Sequence, residues 1–341
     1  MARFAGPLEC IDTTTPTPQG TEVLLRVTAC GICHSDLHIQ DGFFDLGDGQ
    51  RVDLSRGLAC PLVLGHEIAG KVVAAGPAAQ GVAVGDRRVA YPWIGCGGCG
   101  LCAAGEEHLC AAPRALGVNR PGGFADHLLV PHPRYLLPHE GVPASQACTL
   151  ACSGLTAFSA LRKLAPLAAE GGLLIIGAGG VGLSAIRLAR KVLGAAPIVV
   201  EIDRGKWAAA EQAGAAELID PSEAGALKAL LRRSGGVAAA ADFVGAGSSF
   251  DFAFGALRKG GRMVVVGLLG GATRLAPAML ALKAVTVAGS YVGSLDEFAQ
   301  LLALARDLPP LPVEPLPLEA APVGLERLRR GGVVGRLVLT P

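Results

Sequence analysis

Net charge is nearly absent from this 341-residue chain, in which 30 basic side chains face 29 acidic ones for a formal +1. Without a field of one sign there is no long-range means of gathering nucleic acid or an anionic membrane, so the partner expected is a small molecule. Long apolar runs are missing as well. The longest, from Gly171 to Ile186, is too short and too rich in glycine to span a bilayer. The opening residues MARFAGPLECIDTTTPTP hold no apolar stretch of the secretory kind, and a cytoplasmic location is the expectation. Aromatic residues make up only 4%, against 51% hydrophobic residues in all and 48 glycines; this excludes disorder and predicts a compact protein with many tight turns, packed by Val, Leu and Ala. Ten cysteines without a secretion signal are not a disulfide framework, because reducing compartments keep thiols free, and metal ligation is the natural alternative.

The chain is long enough for two cores. From Thr21 to about Leu150 the segments EVLLRV, LVLGHEIAGKVV, DRRVA and DHLLV are short and β-branched, each closed by Gly, Pro or Asp, which predicts a twisted antiparallel barrel over 1–150. Over 151–292 the apolar runs LLIIG, PIVVE, ADFVG and RMVVVG alternate with Ala/Leu-rich stretches at helical spacing, the pattern of a doubly wound parallel sheet. GGVAAAAD reads as a buried strand. The proline-rich DLPPLPVEPLPL is neither helix nor central strand, and 293–341 is expected to return to the first domain, with VVGRLVL adding a strand there.

Cys96, Cys99, Cys102 and Cys110 stand in the string GCGGCGLCAAGEEHLC, within a lobe of about 93–112. Four thiolates at this spacing close a tetrahedron around Zn²⁺, with an iron–sulfur cluster or four plain buried thiols as the alternatives. A closed shell of four thiolates has no open position and holds a lobe in shape.

A second donor set is dispersed: Cys33 in GICHSDLH, His66 in LGHEIAG and Cys152 in LACSGLTAF. Each alone reads as an ordinary core residue; beside a four-cysteine lobe and a dinucleotide-type turn, a shared metal site is the more economical reading of the three. Asp36 is either the acceptor that fixes the His66 ring or a turn aspartate, and Glu67 either a transient extra ligand or a buried neighbour.

In LLIIGAGGVGLSAIRLAR, Gly177, Gly179, Gly180, Val181 and Gly182 follow an apolar strand and open a helical pattern, the context in which a helix N-terminus receives a pyrophosphate. The next strand ends in Glu201, whose carboxylate suits the adenosine ribose diol and repels a 2′-phosphate, so NAD is favoured over NADP. Asp203 is an alternative for that role, and Arg204 and Lys206 leave room for NADP.

With YPWIGCGGC, TLACSGLTAFSAL, IIGAGGVGL and GSYVGSL, the chain resembles the zinc-containing medium-chain dehydrogenase/reductase superfamily over essentially its whole length, most closely the subgroup typified by 6-hydroxyhexanoate dehydrogenase. The Cys₂His donor set is that of the alcohol dehydrogenases and is carried over from them. The resemblance implies a GroES-like barrel domain plus a Rossmann domain, two zinc ions per chain, NAD, and oxidation of a primary or medium-chain alcohol to the aldehyde. It makes Glu67 the conditional zinc ligand. Ser35 and His38 become the proton relay, and His34 and Arg336 the contacts to the cofactor pyrophosphate. Lys206 is placed near the adenosine ribose, Phe243 and Val244 along the adenine side, and Trp93 in the substrate pocket. It further implies a homo-oligomer, a tetramer rather than a dimer, joined through the strand near Val285 to Ser290. A polyol dehydrogenase, a zinc-free quinone or enone reductase, and a non-enzymatic cofactor-binding protein are the competing readings. Cys10, Cys30, Cys60 and Cys148 have no assigned role.

Overall fold

The computed structural model describes residues 1–341, with the side chains of all but residues 169 and 170. The chain forms two units: residues 1–43, 53–155 and 293–341 make the first, and residues 44–52 and 156–292 the second. The described residues form fifteen strands, numbered β1 to β15 in chain order.

In the first unit β1 (Val23–Gly31), β4 (Glu67–Ala75), β5 (Arg87–Ala90), β6 (His127–Val130), β7 (Leu136–Pro138), β14 (Val313–Pro317) and β15 (Arg336–Thr340) share one sheet. Its order is β14-β15-β1-β4-β5-β7, with β6 also paired to β1. β1 is buried along most of its length, as its VLLRVTACG sequence requires of a central strand. The proline-containing β14 lies at the sheet edge, where missing N–H donors cost no ladder bonds.

Register on this sheet prepares the site. Gly31 lies opposite Glu67 in the antiparallel β1–β4 pair and opposite Val338 in the β1–β15 pair. The backbone leaving β1 toward Cys33 therefore runs beside the backbone entering β4 at His66, and beside the start of β15 at Arg336.

The second unit contains β8 (Leu173–Ile176), β9 (Ile198–Val200), β10 (Glu217–Ile219), β11 (Val237–Asp242), β12 (Leu257–Val265) and β13 (Thr286–Gly289). All pair in parallel in the order β10-β9-β8-β11-β12-β13. Renumbered from β8, this is the 3-2-1-4-5-6 order of a Rossmann sheet. Leu174, Ile176, Val200, Val237, Ala240, Leu257 and Met263 form its core.

Two details depart from the sequence reading. The β2 (Phe43–Gly47) and β3 (Gln50–Asp53) strands form a separate two-stranded ribbon, and residues 44–52 group with the second unit, not with a domain over 1–150. The reason is local backbone packing, in which Gly270 and Gly271 approach Asp45 and Gly47 too closely to admit a side chain. The run ADFVG is not a strand beyond Asp242: the Asp242 carboxylate accepts the N–H groups of Val244 and Gly245 and turns the chain out of β11. No helix among the described residues is long and apolar enough to cross a membrane.

Candidate active site

Cys33, His66, Glu67 and Cys152 are all buried in the first unit, and their donor atoms lie within 4.8 Å of one another. Cys33 precedes the helix His34–Asp41, and His66 precedes β4. Cys152 sits in a turn of π-helix, Leu150–Gly154, between the helices Ala144–Thr149 and Leu155–Gly171. Such widened turns mark functional positions. Here the Ser153 N–H donates to Glu67 Oε1 at 3.3 Å, and the Trp93 indole N–H donates to the Ala151 carbonyl at 3.0 Å.

Asp36 ties the two dispersed segments together. Its carboxylate accepts the N–H of Cys33 at 2.9 Å and of Gly65 at 3.2 Å, and Oδ1 lies 3.2 Å from His66 Nδ1. With Nδ1 facing a carboxylate, the proton belongs there and Nε2 is left as the donor. Nε2 is fully buried and, like Nδ1, makes no hydrogen bond of regular geometry among the described residues, so it is open to a metal ion that would relieve the cost of a buried polar atom left unpaired. The Cys33 and Cys152 sulfurs stand 4.0 Å apart. Zn–S bonds of about 2.3 Å in a tetrahedron set neighbouring sulfurs about 3.8 Å apart. The donor set therefore fits zinc.

Charge is balanced within the cluster. The Cys152 thiol beside it, together with His66, holds Cys33 well below the usual thiol range, while the same contact and burial push Cys152 up. Burial alone would lower His66, but the Asp36 carboxylate outweighs it and raises the imidazole above its ordinary value. Burial pushes Glu67 up to about 7 against the pull of Arg336. Arg336, placed by the resemblance at a pyrophosphate, is buried, and its guanidinium donates to Glu67 Oε2 at 2.5 Å. The sequence carries no sign of this pair, since only the fold brings β4 and β15 to either side of β1 and buries both charges, which must then neutralise each other.

Ser35 and His38 lie three residues apart on the helix His34–Asp41, hence on one face, and both are half-buried, whereas His34 is exposed. Trp93 is buried with its ring 5.3 Å from the His66 ring, so it forms part of the wall around the donor set.

In the cysteine lobe, Cys99 and Cys102 sulfurs are 3.5 Å apart, Cys99 and Cys110 3.8 Å, and Cys96 and Cys102 4.0 Å. These bracket the tetrahedral spacing, and all ten cysteines of the chain are free of disulfides. Glu107, unassigned by the sequence, anchors the lobe: buried, it accepts the Gly95 N–H at 3.1 Å and the Tyr135 hydroxyl at 2.8 Å, and pairs with Arg134. A lone Glu in a string of lobe residues carries no sign of this, since Tyr135 and Arg134 follow 28 and 27 residues later.

The glycine-rich turn follows β8 in the second unit. Gly177 has φ +90°, and a Cβ on Gly182 would collide with the Gly177 carbonyl, so turn and helix can approach only as glycines. Gly179 caps the fourteen-residue helix Gly180–Leu193, to which Val181 belongs, and a Cβ there would meet nothing within 4 Å. This open space before a helix N-terminus fits a pyrophosphate. Val244 packs on Gly177, and the Phe243 N–H bonds to the Ile176 carbonyl at the end of β8. Glu201 is buried and accepts the N–H groups of Ala178 at 2.6 Å and Asp203 at 2.8 Å, which leaves each oxygen a further lone pair. Lys206 lies 3.5 Å from Asp203.

Comparison with known proteins gives matches along both units. Residues 19–141 match the alcohol dehydrogenase GroES-like domain, and residues 180–307 match the zinc-binding dehydrogenase domain. The chain is 36% identical to the NAD-dependent alcohol dehydrogenase of Sulfurisphaera tokodaii, over 100% of this chain and 99% of that one. It is 29% identical to the D-arabinose 1-dehydrogenase (NADP(+)) of Saccharolobus solfataricus, over 100% of this chain and 96% of that one. The crystal structure of the alcohol dehydrogenase from Aeropyrum pernix superimposes with a TM-score of 0.88 at 29% identity, covering 100% of this chain and 98% of that one.

Proposed function

Because the chain belongs to the family of zinc-binding dehydrogenases with an alcohol dehydrogenase GroES-like domain, we propose that it is an NAD-dependent alcohol dehydrogenase with two zinc ions per chain. The substrate is a primary or medium-chain alcohol, 6-hydroxyhexanoate or another ω-hydroxy acid among them. The observation that carries this reading is the convergence of Cys33, His66 and Cys152 around an imidazole nitrogen with no other partner.

Cys33, His66 and Cys152 would hold the catalytic ion, and Cys96, Cys99, Cys102 and Cys110 the structural one. Bound zinc supplies Lewis acidity toward the alcohol oxygen, and bound NAD accepts the hydride. Asp36 fixes the His66 tautomer and ring orientation. Glu67, held by Arg336 and the Ser153 N–H, is poised beside the donors as the conditional ligand. The Ser35 hydroxyl would accept the substrate proton as it hands its own on, by way of the bound cofactor's ribose, to His38 on the same helix face and so to solvent, and no exposed base is needed at the buried centre. Trp93 supplies apolar wall. Gly179 and Gly180 receive the pyrophosphate; His34 is carried over from the family as a further contact, whereas Arg336, which the family also places there, is buried on Glu67 and serves that carboxylate. Glu201 takes the ribose diol beside Lys206, and Phe243 and Val244 line the adenine side.

The enzyme works in the cytoplasm as a homotetramer joined through β13, which as the last strand of its sheet has one unpaired edge; the mass in solution checks this.

Elemental analysis of zinc per chain, with NAD and NADP reduction on 6-hydroxyhexanoate, hexanol and a secondary alcohol, tests the reading. Two zinc ions with NAD reduction on the primary alcohols support it. Preference for a sugar or polyol would instead favour the reading suggested by the D-arabinose relative, and one zinc ion without turnover would remove the catalytic assignment.

A further inference from the structure

The loop after β9 contains two cations, Arg204 and Lys206, either of which is chemically suited to a 2′-phosphate on the adenosine ribose. Both are already committed. Arg204 donates from Nε to Asp220 at 3.3 Å and from a terminal nitrogen to Glu223 at 2.7 Å, while Lys206 lies 3.5 Å from Asp203.

Strand register explains why these acids are at hand. β9 and β10 pair in parallel with Val200 beside Ile219, and the Glu201 N–H donates to the Ile219 carbonyl. Asp220, the next residue, therefore emerges beside Glu201 at the C-terminal edge of the sheet, where such folds take their ligands. Asp220 is itself fixed, since its Oδ1 accepts both the N–H and the hydroxyl of Ser222. On the other side, the Trp207 indole N–H donates to the Glu201 carbonyl at 3.1 Å, and the Arg204 guanidinium lies 5.0 Å over the Trp207 ring. Arg204 is thus held next to the diol-binding carboxylate but turned onto two other acids.

We infer that Asp220 and Glu223 are specificity-determining residues, which keep Arg204 from a 2′-phosphate and so reinforce the exclusion of NADP begun by Glu201. This rests on the assignment of the Gly177–Gly182 turn and Glu201 to a dinucleotide. It gives the acids a purpose that an ordinary surface ion pair does not have: the Arg needed for NADP is present, and the clamp disables it. The four acids Glu201, Asp203, Asp220 and Glu223 also outnumber the two cations, so an added phosphate dianion meets net negative charge.

The test is the ratio of NADPH to NADH dissociation constants, measured by nucleotide fluorescence on the zinc-loaded full chain. Variants are Glu223→Gln, Asp220→Asn with Glu223→Gln, and that pair combined with Arg204→Ala. Glu223 is an exposed side chain and Asn keeps the Ser222 bonds, so folding is retained, as melting curves verify. Releasing Arg204 from both acids lowers the NADPH/NADH ratio about tenfold, Glu223→Gln alone does so in part, and Arg204→Ala abolishes the gain. An unchanged ratio with normal NADH binding overturns the inference alone. A gain that survives Arg204→Ala also overturns it, since simple loss of negative charge would then be responsible. If the parent chain binds neither nucleotide, the dinucleotide reading falls and the inference with it.

Discussion

Asp36 Oδ1 stands 3.2 Å from His66 Nδ1, with both side chains fully buried. The same carboxylate accepts the Cys33 N–H, so one residue fixes two of the zinc donors. Asp36→Asn turns an acceptor toward Nδ1–H into a group that also donates. It should weaken zinc binding about 10- to 100-fold, read as faster zinc loss to a chelator with an unchanged far-ultraviolet dichroism spectrum. Unaltered zinc retention would remove Asp36 from the site.

Cys33→Ser and His66→Ala are expected to abolish activity, lower zinc from two ions per chain to one, and leave the fold in place. The donor set belongs to a cluster that the β1, β4 and β15 pairings hold whether or not it is filled. A folded Cys33→Ser protein with full activity would refute the catalytic role.

Loss of the other ion should act on stability instead. Cys99 contacts both Cys102 and Cys110, so Cys99→Ser or chelation lowers the melting temperature. Glu107→Leu tests the anchor of the same lobe: it leaves the Gly95 N–H and Tyr135 hydroxyl unpaired, at a cost of about 1–3 kcal/mol per buried group, seen in denaturant unfolding. An unchanged midpoint would show that water replaces the carboxylate.

Burial holds His38 below its ordinary 6.5, with the Cys33 and Asp41 charges opposing and Arg329 assisting. A relay histidine must be neutral to accept a proton, so the acid limb of alcohol oxidation attributable to it lies below pH 6.5. Because the folded chain binds this proton less readily than the unfolded one, stability falls as pH drops from that ordinary value toward the lowered one. His38→Ala should slow oxidation most at neutral pH and above, where the parent imidazole is neutral, and flatten the acid limb; an identical pH profile would exclude His38 from the relay.

Gly182→Ala drives a methyl group into the Gly177 carbonyl and should raise the NADH dissociation constant at least tenfold while zinc content stays at the parent value. Equal NADH affinity would place the nucleotide elsewhere.

Local chemistry was legible wherever the residues that act together are close in sequence. Four cysteines within fifteen residues declare a metal lobe, and the strand, glycine turn and helix around Gly177 to Gly182 declare a dinucleotide site, because spacing along the chain there is nearly spacing in space. The alternating segments likewise fixed the parallel sheet. Cys33, His66 and Cys152 were recognisable only as a set, through the resemblance.

What the sequence determined, then, is the chemistry available: which donors exist, which turns must be glycine, and which segments are strands. Tertiary structure decided the partnerships. Arg336 meets Glu67 across 269 residues, Arg134 meets Glu107 across 27, and Arg204 meets Asp220 rather than standing free. Those pairings follow from strand register and from the burial of Glu67, Glu107 and Asp220, since a carboxylate removed from water must find whichever opposite charge the fold brings alongside it. No local pattern names that partner in advance.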